Sequence, residues 1–276
     1  MIIDFVKMHG LGNDFILIDA VTSKISLNEK QISHLSDRKF GVGCDQLLIA
    51  ETSDAENVDF RYRIFNSDGS EVEQCGNGAR CFAQFVKRQR LTDKDVIIVE
   101  TLAGVFTLTI RDNSNVTVEM GEPIFEDALI PFVPHSNKEI HYLQFGERQI
   151  EFFVVSMGNP HAVIFVDDVE QAQVKEIGSL LETDSRFPNR TNVQFVQIID
   201  RNNINQRIFE RGVGETLASG SGACAAVAVA QKQNQADETV RVHMPGGELE
   251  IHTHNNNTCL FMTGPTEYSF EGRVEV

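Results

Sequence analysis

Alternating apolar and polar positions run through much of the chain, which predicts a fold dominated by β-strands. Residues 106–110 and 116–120 alternate clearly, and the polar run 112–115 between them predicts a tight turn. Residues 152–156 and 194–198 show the same pattern. A second polar run, residues 255–257, predicts a turn between two C-terminal strands.

Two strong helix candidates begin directly after glycine-rich motifs, at residues 77–88 and 221–232. The second is apolar all round, which is typical of a buried helix. Residues 28–38 and 169–181 are weaker helix candidates. We therefore predict an α+β fold in which a sheet is wrapped around a central helix, once in each half of the chain.

The two halves read as copies of each other. Residues 63–79 and 207–223 match without a gap, through Arg-Ile-Phe, a glutamate and a glycine-rich motif. Other landmarks recur in the same order, among them Gly-Asn at 12–13 and at 158–159. The repeat predicts two pseudo-symmetric domains, residues 1–119 with 265–276 and residues 120–264, and an active site in the cleft between them.

Composition narrows the possible functions. The 276 residues carry a formal charge of −16, which disfavours nucleic acid and anionic membrane surfaces as partners. We find neither a signal-peptide pattern nor an apolar run long enough to span a membrane. Five cysteines at uneven spacing do not form a disulfide framework, so we expect a reducing cytoplasm. His252 and His254 have no acidic or thiol neighbour that would complete a metal site, and we expect no metal.

Cys75 is the strongest candidate for chemistry. A thiol at a helix N-terminus lies at the positive end of the helix dipole, which lowers its pKa toward neutrality and lets it act as both base and acid. The alternative is a small buried apolar residue, the common fate of free cysteine. The copied position carries Ser219. Two such helix starts, aimed at one carboxylate, suit stereoinversion at the adjacent carbon, with proton removal on one face and return on the other.

The chain resembles the diaminopimelate epimerases over its whole length. The motifs that carry the resemblance are residues 9–15, 43–46, 65–69, 75–81, 157–161, 210–211 and 220–224. The resemblance implies interconversion of LL- and meso-diaminopimelate for lysine and cell-wall synthesis by two cysteines, without pyridoxal phosphate, other cofactor or metal. It also implies two similar domains, each a β-barrel-like mixed sheet around a central helix, with the site in their cleft, and a cytoplasmic homodimer.

The resemblance also implies roles for individual residues. Cys75 matches the first catalytic cysteine, and His161 and Glu210 match residues placed behind the catalytic pair. The remaining matches form the substrate-binding set: the reacting carboxylate by Gly76, Asn77, Gly220 and Ser221; its amino group by Asn13, Gln46 and Glu210; the distal amino-acid end by Asn66, Asn159, Asn192 and Arg211. Without the resemblance, the asparagines would read as turn formers and Glu210–Arg211 as a surface pair.

One position departs from the family pattern, because Ser219 stands where the family has its second catalytic cysteine. A hydroxyl is a much weaker acid than a thiol, so we expect impaired epimerisation. Three interpretations stay open: an epimerase carrying a Cys-to-Ser substitution, a natural relative that performs dehydration like hydroxyproline dehydratases, and a non-catalytic binder of an amino acid.

Overall fold

The computed structural model describes residues 1–111, 115–134, 139–253 and 258–276. These residues form two compact units, Met1–Glu119 with Thr263–Val276, and Met120–Met262. Eighteen strands and four α-helices lie in the described ranges, which confirms the predicted sheet-dominated α+β fold class.

The first unit is built mainly on six strands, each hydrogen-bonded to the next. They are β1 (Ile2–Gly10), β2 (Asn13–Asp19), β3 (Gln46–Glu51), β4 (Phe60–Asn66), β6 (Val96–Thr101) and β7 (Gly104–Ile110). Successive pairs are antiparallel, parallel, antiparallel, parallel and antiparallel. The short β5 (Glu71–Val72) adds to β4, β8 (Val116–Gly121) to β7, and β18 (Glu267–Glu275) to β1.

The second unit repeats this ladder. Its six strands are β10 (Arg148–Ser156), β11 (Pro160–Phe165), β12 (Asn192–Asp200), β13 (Asn203–Glu210), β15 (Thr239–Met244) and β16 (Gly247–Thr253). Their pairings follow the same order of antiparallel and parallel neighbours. β9 (His141–Phe145) pairs with β10, and β14 (Gly214–Thr216) with β13. A further strand, β17, spans Leu260–Gly264.

The repeat read from the sequence is therefore present in the strand pairing. It also reaches single contacts: Arg63 Nε lies 2.8 Å from Glu71 Oε1, and Arg207 Nε lies 2.7 Å from Glu215 Oε1. Each pair joins the fourth strand of its ladder to the short strand beside it, so the same ion pair occurs at the same place in both units.

Each unit has one long helix against its sheet, α2 (Gly76–Arg88) in the first and α4 (Gly220–Lys232) in the second. Both predicted helices are confirmed, each one residue longer at its start. α2 contacts β1, β2, β3 and β7, and α4 contacts β10, β11, β12 and β16. Residues 222–230 of α4 are all buried, as expected for a helix that is apolar all round. Small residues let α4 lie close to the surrounding strands.

The other two helices are shorter than predicted. α1 (Glu29–Ser36) begins at a capping box, in which Asn28 and Gln31 exchange side-chain and backbone hydrogen bonds. The helix predicted at 169–181 is wrong at its start, because Val169–Gln171 form one 3-10 turn and α3 spans Val174–Glu182. Asp168 caps the start of the 3-10 turn by accepting the N–H of Glu170, and residues 172–173 separate this turn from α3.

Strands β7 and β8 contain the predicted segments 106–110 and 116–120. Most of the predicted turn at 112–115 and all of that at 255–257 lie outside the described residues. None of the helices in the described ranges is long and apolar enough to cross a membrane.

Candidate functional site

Cys75 is the N-cap residue of α2. Its backbone is extended, and its Sγ accepts the N–H of Gly78 at 3.4 Å. The sulfur therefore faces the positive end of the helix dipole, where negative charge is stabilised. Gly76 and Asn77 form the first turn, whose N–H groups have no acceptor within the helix itself. The carboxylate cradle expected there stays a prediction.

Tyr62 lies behind this helix start. Its hydroxyl donates to the carbonyl oxygen of Cys75 at 3.4 Å, and burial raises the pKa of Tyr62 well above its usual value. A Cβ atom at Gly78 would lie 2.4 Å from the Tyr62 hydroxyl oxygen. Glycine is therefore required at 78, because any side chain would displace the tyrosine that holds the backbone of Cys75.

Asn13 places a carboxamide beside the thiol. Its Oδ1 lies 3.9 Å from Cys75 Sγ and accepts from Asn77 Nδ2 at 3.3 Å. Its Nδ2 donates to Asp45 Oδ2 at 3.0 Å. Since a carboxylate only accepts, Asp45 fixes the amide with its oxygen toward the sulfur.

Asp45 is itself held by charge. Arg38 Nη2 lies 2.8 Å from Asp45 Oδ1 and 2.7 Å from Asp14 Oδ1, and Lys7 Nζ lies 2.7 Å from Asp14 Oδ2. Burial raises the pKa of Asp14, but hydrogen bonds from Arg38 and Lys7 outweigh it and hold that pKa well below its usual value. Asp14 therefore stays ionised at neutral pH, and Arg38 joins it to Asp45, the acceptor of Asn13.

Gln46 and Asn66 face each other across the β3–β4 pair. Gln46 Nε2 donates to Asn66 Oδ1 at 3.1 Å, and Asn66 Nδ2 donates to Ser70 Oγ at 3.2 Å. Asn66 ends its strand at a turn in which Gly69 has φ +92°. Asn66 is thus both a turn residue and a partner of Gln46.

Ser219 repeats the geometry of Cys75 in the second unit. It is the N-cap of α4, and its Oγ accepts the N–H of Gly222 at 3.4 Å. Gly220 and Ser221 form the first helical turn. The side chain of Ser219 is buried, whereas that of Cys75 is half-buried.

A chain of polar side chains runs from the sheet to this helix start. Gln194 Nε2 lies 2.9 Å from His161 Nδ1, His161 Nε2 lies 2.9 Å from Asn159 Oδ1, and Asn159 Nδ2 donates to Ser221 Oγ at 3.5 Å. Burial lowers the pKa of His161 to about 3, so its ring is neutral in ordinary conditions.

The remaining predicted residues lie at the ends of β12 and β13. Asn192 Nδ2 donates to the carbonyl oxygen of Pro160 at 3.2 Å, and its Oδ1 accepts the backbone N–H of Arg211 at 3.0 Å. Arg211 Nη1 donates to the carbonyl oxygen of Asn189 at 3.3 Å. Glu210 Oε1 accepts the hydroxyl of Thr216 at 2.5 Å. Asn192 thus connects the strand ends on which Arg211 and Glu210 are placed.

The structure adds orienting residues that sequence reasoning did not select, among them Asp45 and Gln194. Asp45 lies in the motif 43–46 that supports the family resemblance, but the resemblance implies a role only for Gln46. Gln194 lies in β12, where polar residues also stand at 192 and 197, so the sequence alone gave no signal that singled it out.

The other four cysteines, Cys44, Cys81, Cys224 and Cys259, are buried, which is the common fate of free cysteine. Burial raises the pKa of the Cys81 thiol to about 12 and also raises that of Cys44. In the described ranges, no three His, Cys, Asp or Glu side chains are grouped as a metal site would require. His252 stacks on Phe261, with ring centroids 5.3 Å apart, and His254 lies outside the described residues.

The fold is shared with amino-acid epimerases. A solved hydroxyproline epimerase from Agrobacterium vitis, with bound trans-4-hydroxy-L-proline, superposes with a TM-score of 0.71 over 99% of this chain and 92% of its own, at 12% identity. At that identity the likeness concerns the fold alone.

Closer relatives define the family. A diaminopimelate epimerase from Teredinibacter turnerae is 50% identical over 99% of both chains, and one from Aromatoleum aromaticum is 50% identical over 100% of both. The family model described as diaminopimelate epimerase matches residues 5–126 and 153–269. The chain belongs to the diaminopimelate epimerase family.

Proposed function

We propose that this protein is an isomerase that epimerises diaminopimelate between its LL and meso forms, with Cys75 and Ser219 on opposite faces of the reacting carbon. The observation that carries the proposal is the matched pair of helix starts. Each begins with a side chain that accepts an N–H of its own first turn at 3.4 Å. Membership of the diaminopimelate epimerase family indicates that diaminopimelate is the substrate.

The reaction needs only proton transfer. Cys75, as a thiolate, takes the Cα proton, and the backbone N–H groups of Gly76, Asn77, Gly220 and Ser221 stabilise the negative charge that develops on the adjacent carboxylate. Returning a proton on the opposite face inverts the carbon. Ser219 is a poor donor for that step because it would have to form an alkoxide.

The rest of the predicted set binds the substrate. Neutral amides both donate and accept, so Asn13, Gln46, Asn66, Asn159 and Asn192 suit a molecule that carries ammonium and carboxylate groups. Arg211 offers a fork for the distal carboxylate, and Glu210 an acceptor for an ammonium. His161 is neutral and buried, so it supports the site without exchanging protons.

The family resemblance further supports a homodimer, a cytoplasmic location and a role in lysine and cell-wall precursor synthesis. Size-exclusion chromatography with light scattering measures the oligomeric state directly. A monomer at micromolar concentration would contradict the dimer without affecting the proposed reaction.

The test of the reaction is Ser219→Cys under reducing conditions. We expect this variant to interconvert LL- and meso-diaminopimelate about 10²–10⁴ times faster than the protein with Ser219, because it regains an acid–base partner. Ser219→Ala is the control and should be no faster than the parent. No gain from Ser219→Cys would contradict the proposal.

Deuterium exchange in D₂O tests Cys75 separately. The protein with Ser219 should exchange the Cα proton of only one stereoisomer, since one thiol reaches one face. Equal exchange from both stereoisomers would contradict the one-sided role. Binding without exchange would identify a binder, and turnover of 3-hydroxyproline would identify a dehydratase.

A further inference from the structure

The second unit contains a buried polar pair that the first unit lacks. His161 and Gln194 are both 0% exposed, and their side chains meet at 2.9 Å. Pairing of β11 with β12 places His161 opposite Asn192, as pairing of β2 with β3 places Phe15 opposite Gln46. The copied positions in the first unit are therefore Phe15 and Leu48, which are apolar and buried.

Burying this polar pair is energetically unfavourable, which favours a functional role for it. Burial of amide and imidazole groups is unfavourable unless they are hydrogen-bonded. Gln194 Oε1 is buried with no hydrogen-bond partner in the described part of the chain. The first unit shows that the same ladder folds with two apolar side chains at these positions.

The hydrogen bonds determine the protonation of His161. The amide nitrogen of Gln194 only donates, so Nδ1 must accept and carries no proton. The neutral ring then carries its proton on Nε2 and donates it to Asn159 Oδ1, an acceptor, at 2.9 Å. With the Gln194 and Asn159 amides oriented in this way, the Nε2–H tautomer is the neutral form of His161 that satisfies both hydrogen bonds.

Asn159 is the outer end of this chain. Because its Oδ1 receives the imidazole proton, its Nδ2 is turned toward Ser221 Oγ at the first turn of α4. One N–H of this amide is donated to Ser221 Oγ, so the amide keeps its second N–H, rather than an acceptor, beside the helix start that Ser219 caps. Donors are what a substrate carboxylate requires.

We propose that Gln194 is a positioning residue: it holds His161 in its Nε2–H tautomer, and His161 in turn fixes the Asn159 amide with its N–H donors toward the substrate. The inference rests on the proposed function only in taking diaminopimelate as the ligand of Asn159. The tautomer itself does not depend on the ligand.

A double-mutant cycle on the full-length protein tests the inference. His161→Phe and Gln194→Leu each introduce the residue found at the copied position of the first unit, and the combined variant copies the whole apolar pair. We measure the Kd of diaminopimelate by calorimetry. Each single variant should bind diaminopimelate about 10-fold more weakly, because about one hydrogen bond to the ligand is lost when Asn159 is no longer held in place. In the His161→Phe background, Gln194→Leu should add nothing, since Gln194 acts through His161.

Nitrogen NMR of the His161 ring is the second readout. The parent should show Nε2 protonated and Nδ1 unprotonated, and Gln194→Leu should shift the Nδ1 signal because its donor is gone. Gln206→Leu is the matched control. Gln206 is a buried glutamine on the neighbouring strand β13, and this substitution should leave both the His161 signals and the Kd unchanged.

Three results would overturn the inference: a protonated Nδ1 in the parent, an unchanged ring signal in Gln194→Leu, or additive losses of affinity in the combined variant. A parent protein that does not bind diaminopimelate would instead contradict the proposed function. The NMR readout would still decide the role of Gln194 in that case, so the two failures are distinguishable.

Discussion

Cys75 and Ser219 cap two thirteen-residue helices in the same way, each accepting the N–H of the residue three positions on at 3.4 Å. The two units thus hold a thiol and a hydroxyl in one backbone setting. Exchanging sulfur for oxygen changes the acidity of the group while leaving its hydrogen bond in place. The acidity of the atom and the exposure of the side chain, buried for Ser219 and half-buried for Cys75, are what distinguish the two positions.

The exposure of the five thiols predicts selective alkylation of Cys75. Cys75 is half-buried, whereas Cys44, Cys81, Cys224 and Cys259 are buried, and burial raises the pKa of Cys44 and Cys81. Since the thiolate is the reactive form, iodoacetamide should modify one cysteine per folded chain. Mass spectrometry of peptides identifies the site.

Cys75→Ser is the control for that experiment. The folded variant should take up no label, and unfolding in urea should expose the remaining four thiols to it. Rapid labelling of Cys81 in the folded protein would contradict the burial of that side chain in α2.

Asp45 predicts a second effect, on the orientation of Asn13. Asp45→Ala removes the acceptor for Asn13 Nδ2, so the amide is no longer held with Oδ1 toward Cys75 Sγ. We expect Cα deuterium exchange to fall about 10-fold, in line with the loss of one hydrogen bond to a charged group. Exchange is followed by proton NMR in D₂O.

Asp45→Asn is the conservative comparison, because its amide oxygen still accepts from Asn13. It should retain exchange within about threefold of the parent. If both variants lose exchange equally, the charge of Asp45 matters rather than its acceptor, and the orientation argument is wrong.

Most of the fold was predictable because the same short sequence motifs recur in both halves of the chain. The glycine-rich motifs mark where α2 and α4 begin, and the all-apolar stretch of α4 indicates its burial. The ion pairs Arg63–Glu71 and Arg207–Glu215 lie at matching positions of the repeated segments, so the sequence already contained both partners of each pair.

The parts that could not be predicted depend on register between distant strands. Gln194 meets His161 across 33 residues of sequence, through the parallel pairing of β11 and β12. Asp45 meets Asn13 across 32 residues, because β2 and β3 are also parallel. No periodicity within a single segment encodes such a pairing, so both residues were missed as orienting groups.

His161 predicts a pH dependence of stability. Burial lowers its pKa from 6.5 to about 3 in the folded protein. As the pH falls below about 6.5, the unfolded chain binds a proton at this histidine and the folded chain does not, so the free energy of unfolding decreases until about pH 3. Above pH 6.5 the residue contributes no slope.

His161→Phe should remove this contribution. Urea unfolding curves at pH 7.5, 6, 5 and 4 give the free energy of unfolding of parent and variant, and their difference isolates His161 from other acid-sensitive groups such as Asp14. The parent should lose stability more steeply than the variant over this range. Equal slopes would mean that His161 titrates normally in the folded protein.

Gln206 predicts a gain in stability. Its side chain is 1% exposed, and neither Nε2 nor Oε1 has a hydrogen-bond partner within the described residues. Pairing of β12 with β13 places Gln206 opposite Val196, two residues along from Gln194, so the two glutamines lie on one face of the sheet. An unpaired buried amide costs about 1–3 kcal/mol, and Gln206→Leu removes both polar atoms at similar volume. We expect the free energy of unfolding in urea to rise by about 1 kcal/mol.

Gln194→Leu is the matched comparison and should lower the free energy of unfolding, because that change leaves His161 Nδ1 without its donor. A loss of stability in Gln206→Leu would show that its amide is hydrogen-bonded in solution.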